Sequence, residues 1–263
     1  MARIISGLQP VREAIRTRAR GLEKVLVESD SSAQLEALAR FAGDQGVTVE
    51  RASRADLDRL ARGARHQGAI AFAPELSLTR LEDLDLGPRA LVVALDELQD
   101  PQNFGAVLRS AVAMGATAVL WPEHASAPLS AATFRASAGA VEHAVLCRVT
   151  SLPSALESLR AGGLSILGLE MRGSAAIDEV DLTGPIAWVV GAEGKGLRRG
   201  VKAACTELVR LPMNGPIASL NASVAAAIAL YETARQRRRD ETARQRGRDE
   251  TARQRGRDAS RGS

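Results

Sequence analysis

Six predominantly apolar runs in the later two-thirds of this chain constrain its fold more than any other feature. They are Ala90–Leu95, Ala118–Trp121, Val145–Val149, Leu164–Leu169, Ile186–Val190 and Leu208–Leu211. An apolar run without polar alternation marks a strand buried on both faces, and helical patterns lie between most of these runs. The alternation predicts an α/β fold with a parallel sheet covered by helices on both sides. A hydrophobic content of 45% supplies enough apolar surface for such a core.

The first 75 residues read as a separate small α/β unit. Val11, Ala14 and Ile15 repeat at helical spacing behind Pro10, Val25–Val27 and Val47–Val49 read as short strands, and Leu35, Leu38 and Ala39 mark a second helix. Ala55–Leu60 reads as a third helix, and Ala69–Ala73 as a strand closed by Pro74. The expected organisation is a small domain over 1–75, a linker over 76–89, a larger domain over 90–235 and a tail over 236–263. The tail repeats a nine-residue unit, Glu232–Asp240, twice more with Gly in place of one Arg. With no apolar face to bury, it is expected to be disordered or to extend the last helix into solvent.

Composition narrows the partners. From Glu232 onward 11 arginines face 6 acidic residues, so the net charge of +4 comes from the tail and the rest carries −1. Nucleic-acid binding by the body must therefore rest on local patches. Aromatics are only 3%, too few for a sheet that stacks bases. No apolar run approaches the roughly 18 residues that span a bilayer, and Met1–Ser6 lacks the apolar core of a signal peptide. Cys147 and Cys205 are isolated, and His124 and His143 have no partners at ligand spacing, so neither a disulfide framework nor a metal is expected. A cytoplasmic location fits these features.

Three segments carry polar groups at the ends of predicted strands. In the first, Leu95–Gly115, Asp100–Pro101 and Gly105 shape a loop, with a helix from Ala106 onward, Asn103 near its start and Arg109 about a turn inside. Taken alone, Asn103 is a helix cap and Arg109 a surface ion pair. The second, Trp188–Arg199, runs from a buried strand into a loop with Gly191, Gly194 and Gly196 and carries Glu193. Glycine lets backbone approach a ligand closely, but the spacing is neither a dinucleotide fingerprint nor a Walker loop. In the third, Leu211–Val224, a Pro/Gly-rich loop leads to Ser219, Leu220 and Asn221 and then an alanine-rich helix from Ala222 to about Ala234. Ser and Asn at a helix start accept hydrogen bonds from free amides, and such a start is a natural cradle for a polar ligand.

In order and separation, these segments resemble the three motifs of the SpoU (TrmH) family of RNA ribose 2′-O-methyltransferases. Gly7–Val11, Gly63–Gly68 and Tyr231–Arg237 resemble the subgroup that methylates a guanosine of large-subunit (23S) ribosomal RNA. The resemblance implies a SPOUT-type catalytic domain with a C-terminal trefoil knot, preceded by a small domain similar to RNA-binding ribosomal proteins. It implies a homodimer and S-adenosylmethionine as cofactor, held by Gly191, Leu211 and Leu220 with Ala192, Met213 and Ile217. It gives catalytic roles to Arg109, Asn103, Glu193, Ser219 and Asn221. Arginine is an unusual base, since its pKa exceeds about 12. Arg109 either serves as the base, with a bound RNA phosphate beside it orienting the guanidinium or passing the proton, or stays charged and stabilises the developing oxyanion. Asn103 and Asn221 would orient Arg109 or the ribose, Glu193 would fix the glycine loop, and Ser219 would bind substrate or cap the final helix. RNA contacts are expected at Arg12, Arg16, Arg65 and His66, the last being equally well read as a turn residue. Gln9, Pro10, Phe104 and Lys195 depart from the family pattern, and none belongs to the implied reaction centre.

Overall fold

The structure, a computed structural model, describes residues 3–124, 126–127, 129–216 and 219–261, with side chains as far as Arg246. The N-terminal unit consists of β1 (Arg3–Ser6), α1 (Leu8–Arg18), β2 (Lys24–Glu28), α2 (Ala33–Asp44), β3 (Val49–Ala52), α3 (Arg54–Ala61) and β4 (Ala69–Ala73). Its sheet runs β1-β4-β2-β3, with β4 antiparallel to both neighbours and β2 parallel to β3. The stripe Leu35, Leu38 and Ala42 of α2 and the stripe Val11, Ala14 and Ile15 of α1 close its core. The expectation for residues 1–75 contained no counterpart of β1, whose four residues are too few to establish a period.

The larger unit consists of β5 (Leu91–Asp96), α4 (Pro101–Ala113), β6 (Ala118–Pro122), α5 (Ala131–Ala136), β7 (Leu146–Val149), α6 (Leu152–Ala161), β8 (Ser165–Leu169), β9 (Ala175–Ala176), β10 (Ile186–Gly191), α7 (Arg199–Ala204), β11 (Glu207–Arg210) and α8 (Ala222–Arg261). Its sheet order is β7-β6-β5-β10-β8-β11-β9, and every pair is parallel. All five sequence-predicted apolar strands that pair here after β5 fall where expected, within a residue or two. On one face Trp188, Phe104 and Leu108 pack with Ala226 and Leu230 of α8. On the other, Val92 and Ala94 pack with Leu156 and Val201. Leu81, Leu84 and Leu86 pack on that second core, so the connecting segment lies against the sheet.

One local expectation needs correction, and of the two forms expected of the tail the structure has the helical extension. The helix after β5 begins at Pro101, not Ala106. Asp100 caps it, its carboxylate accepting from Gln102 N (3.1 Å) and Asn103 N (3.3 Å), and proline suits the first helical position. Gly105 is therefore helical, and a Cβ there would lie 2.5 Å from Ala136 Cβ and 2.6 Å from Thr133 O. Close approach of α5, not a loop, is what requires glycine. The last helix extends to Arg261, well beyond Ala234. It is fastened by Trp188 Nε1, which donates to Thr233 Oγ1 (2.9 Å), and by Arg237, which donates to the carbonyls of Leu182, Arg89, Ala90 and Gly184. Those carbonyls replace the water that Arg237 loses on burial.

The small unit docks on the larger one through desolvated ions. Arg3 donates to both oxygens of Glu142 (2.7 and 2.9 Å) and stacks 5.0 Å from the Phe134 ring. His143 Nε2 meets Glu13 Oε2 at 2.8 Å. Gly139, at φ 87°, lets α1 close in, since a Cβ there would lie 2.9 Å from Glu13 Cβ. Removing one partner of a buried pair strands the other charge. Glu142→Ala is expected to lower the free energy of unfolding by about 3–5 kcal/mol in urea titrations. A loss under about 1 kcal/mol would show that Arg3 is solvated in the native protein.

Candidate active site

Because β10 lies between β5 and β8, the carboxyl ends of these strands open side by side, with Gly191 in register with Asp96. Ligands of open α/β sheets bind at such ends. Three loops leave this edge: the turn from β5 into α4, the glycine loop after β10, and the segment from β11 into α8.

The glycine loop folds back on itself. Gly196 N donates to Ala192 O (2.9 Å), and Gly194 and Gly196 take φ values of 73° and 63°. A Cβ on Gly191 would stand 2.4 Å from the Gly196 carbonyl carbon, so the hairpin closes only over a bare α-carbon. Its exit is anchored by Asp96, buried at the end of β5, which accepts from Arg198 N (2.8 Å) and Arg198 Nε (2.7 Å). Sequence reasoning missed this anchor. An acid ending an otherwise apolar strand was its only local signal, and the partner lies 102 residues away.

Side-chain amides join the three loops. Asn221 caps α8, its Oδ1 accepting from Ser223 N (2.9 Å) and Val224 N (3.3 Å). That cap fixes which way the amide points, so Asn221 Nδ2 faces outward and donates to Asn103 Oδ1 (2.9 Å) and to Glu193 Oε1. Asn103 Nδ2 then also donates to Glu193 Oε1 (3.1 Å). One residue from each loop thus meets at a single carboxylate.

Beside this cluster lies a cleft of about 690 Å³, within the range of small-ligand sites. Its lining includes Gly191, Ala192, Glu193, Leu211, Met213, Ser219, Leu220 and Asn221. Leu169, Met171, Val190 and Val209 add an apolar bed, and Glu170 and Lys195 add charge. Asn103 touches the site through Glu193 and Asn221 without lining the cleft. Ile217 lies outside the described residues. Arg109 is exposed on α4, about 1.7 turns from Asn103, and has no hydrogen bond or ion pair among the described residues. The structure of a single chain does not bring Arg109 into the cleft.

The residues expected to touch RNA divide similarly. Arg12 and Arg65 are exposed, and Arg16 is exposed beside Glu13 at 3.2 Å. His66 is buried, its Nδ1 accepting from Gly68 N (3.0 Å) and its Nε2 meeting Asp58 Oδ1 at 2.9 Å. One ring nitrogen is bonded within the turn and the other meets Asp58 of α3, so the histidine braces the turn against that helix. Burial pushes the Cys147 and Cys205 thiols up to about 11, which keeps both protonated and poorly nucleophilic at neutral pH. No group of His, Cys, Asp and Glu among the described residues forms a metal cage.

The model of the SpoU rRNA Methylase family matches residues 90–231, more than half of the chain. The chain belongs to that family. The matched span of this SpoU methylase contains all three loops described above. A second model, described as the RNA 2′-O ribose methyltransferase substrate binding domain, matches residues 4–79. Among curated relatives, an uncharacterized tRNA/rRNA methyltransferase of Mycolicibacterium vanbaalenii is 41% identical over 89% of this chain and 77% of its own length. One of Mycolicibacterium smegmatis is 39% identical over the same shares. A solved RNA 2′-O ribose methyltransferase is 32% identical with a TM-score of 0.75, covering 90% of this chain and 89% of its own. The SpoU methyltransferase AviRb from Streptomyces viridochromogenes, solved in complex with the cofactor AdoMet, is 26% identical with a TM-score of 0.74, covering 90% of both chains.

The closure at Gly191 gives a direct test of the loop. Gly191→Ala is expected to raise hydrogen exchange of the 192–197 amides by at least about tenfold while β10 stays protected. Unchanged exchange in that loop would show that its hairpin does not depend on the bare α-carbon.

Proposed function

We propose that this SpoU methylase transfers a methyl group from S-adenosylmethionine to the ribose 2′-hydroxyl of a guanosine in 23S ribosomal RNA, acting as a homodimer. The observation that carries the reading is the meeting of Asn103, Glu193 and Asn221 beside a single cleft. The residues present suit the cofactor. Gly191 leaves backbone bare at the cleft wall, and Leu169, Val209, Leu211 and Leu220 offer an apolar bed to a purine and a thioether. Bound S-adenosylmethionine supplies an electrophilic methyl on sulfur, which needs no metal to react.

The chain's own residues then have two tasks. Gly191, Ala192, Leu211, Met213, Ile217 and Leu220 hold the donor, and the Asn103–Glu193–Asn221 cluster keeps their loops in register so that the hydroxyl can be aligned. Ser219, exposed at the cleft mouth, faces the incoming ribose. Arg109 carries a guanidinium with no partner among the described residues, ready for an RNA phosphate, and stabilises the oxyanion that forms on the ribose. The residual role of base falls to that phosphate.

A single chain leaves Arg109 outside the cleft, and the exposed stripe Val224, Ile228 and Tyr231 on α8 supports pairing with a second copy. Arg12, Arg16 and Arg65 supply the phosphate contacts of a small RNA-binding domain over 1–75, joined by 76–89 to the catalytic domain over 90–235. The trefoil knot implied by the family resemblance belongs to the same reading. The match of the small domain to a 2′-O-methyltransferase substrate-binding model supports an RNA ribose as target, and the subgroup segments Gly7–Val11, Gly63–Gly68 and Tyr231–Arg237 support a ribosomal guanosine. The names of the relatives give tRNA and rRNA together, which makes transfer RNA the second reading.

Nucleoside analysis of 23S and transfer RNA transcripts treated with the enzyme separates the two targets. The expected product is 2′-O-methylguanosine in 23S RNA only, whereas methyl transfer confined to transfer RNA would overturn the target. In the same assay Arg109→Ala should lower the rate by about 10²–10³-fold while calorimetry shows unchanged binding of S-adenosylhomocysteine. Full activity of that variant would remove Arg109 from the mechanism.

A further inference from the structure

Glu170 is a cleft-lining acid whose carboxylate accepts no hydrogen bond from any described residue. Its backbone is fixed at the end of β8, with its N donating to Val209 O (3.0 Å) and its O accepting from Gly173 N (3.0 Å). The side chain is 17% exposed, and its Oε2 is buried. Lys202 Nζ lies 2.6 Å from Oε2, yet off the direction that would make a hydrogen bond. The ammonium therefore offsets charge at Oε2 and leaves Oε1 without a donor among the described residues. Across from the carboxylate stands Gly196, where a Cβ would lie 3.3 Å from Oε2 and 3.5 Å from Oε1.

A largely buried carboxylate with no aligned hydrogen-bond donor is costly unless a ligand supplies one. The neighbouring Lys202 disfavours a second cation at this spot, so the missing donors are neutral hydroxyls. Two vicinal hydroxyls match the two oxygens of one carboxylate, the same chemistry by which an acidic side chain takes a nucleotide ribose in dinucleotide sites. Leu169 and Leu211 provide the apolar flank on which the attached base would lie. From this geometry we infer that Glu170 is a specificity residue that accepts hydrogen bonds from the ribose hydroxyls of the methyl donor. The inference rests on the proposed reading of the cleft as the donor site.

Calorimetry on the full chain tests it with two ligands, S-adenosylhomocysteine and its 2′,3′-dideoxy analogue. The wild type should bind the first at least about tenfold more tightly than the second, as expected for hydrogen bonds to a charged group. Glu170→Ala should lose that preference, binding both ligands with the weaker affinity, while its circular dichroism and Tm match the wild type. Equal affinity of the wild type for the two ligands would overturn the inference without any variant. So would a Glu170→Ala protein that keeps the preference, or one that weakens both ligands equally. If the wild type binds neither ligand, the donor reading of the cleft itself falls, and the Glu170 assignment with it.

Discussion

The site depends on the first turn of α8. Its free amides demand an acceptor, and Asn221 Oδ1 provides it. Once that oxygen is committed, the rest of the amide has only one orientation, and Asn103 must present its oxygen to it. Asn103 then has only its Nδ2 left for Glu193. A backbone requirement at one helix end thereby sets the orientation of three side chains from segments spread over 118 residues of sequence. Glu193 gains two donors and in turn steadies a loop whose glycines otherwise leave it free.

The fold supplies the proximity that this chain of orientation needs. Inserting β10 between β5 and β8 brings the carboxyl ends of early and late strands together, although they lie far apart in sequence. Both sheet faces are then closed by helices, α4 and α8 on one side and α6 and α7 on the other. Asp96 and Arg198 fasten the far end of the glycine loop to the first strand of this sheet. The small unit is held by the buried Arg3–Glu142 pair, a directional contact that specifies how it sits.

The sheet was legible because most of its strands fall in predominantly apolar runs, and β10 with its glycine loop was legible because glycine chemistry is local. Features set by distant partners were not. Gly105 reads as a loop residue until α5 is seen to press on it. Asp96 gives little sign of its role without Arg198. The strands β1 and β9 are too short for a period, and β9 has only two residues. His66 in a Gly-Ala-Arg-His-Gln-Gly segment reads equally as an RNA contact or a turn until Gly68 N is found on its Nδ1. The motif residues themselves were recognisable by resemblance, but their contacts with one another were not contained in any spacing.

The central claim is that the loops act as one unit through the amide contacts. A double-mutant cycle on Asn103→Ala and Asn221→Ala, read as S-adenosylhomocysteine affinity, tests it most directly. Residues in one hydrogen-bond network couple by about 0.5–3 kcal/mol. The account predicts that the second substitution costs markedly less once the first is present, giving a coupling in that range. Losses that add to within about 0.3 kcal/mol would mean that the two residues act independently, and the shared site described here would not exist.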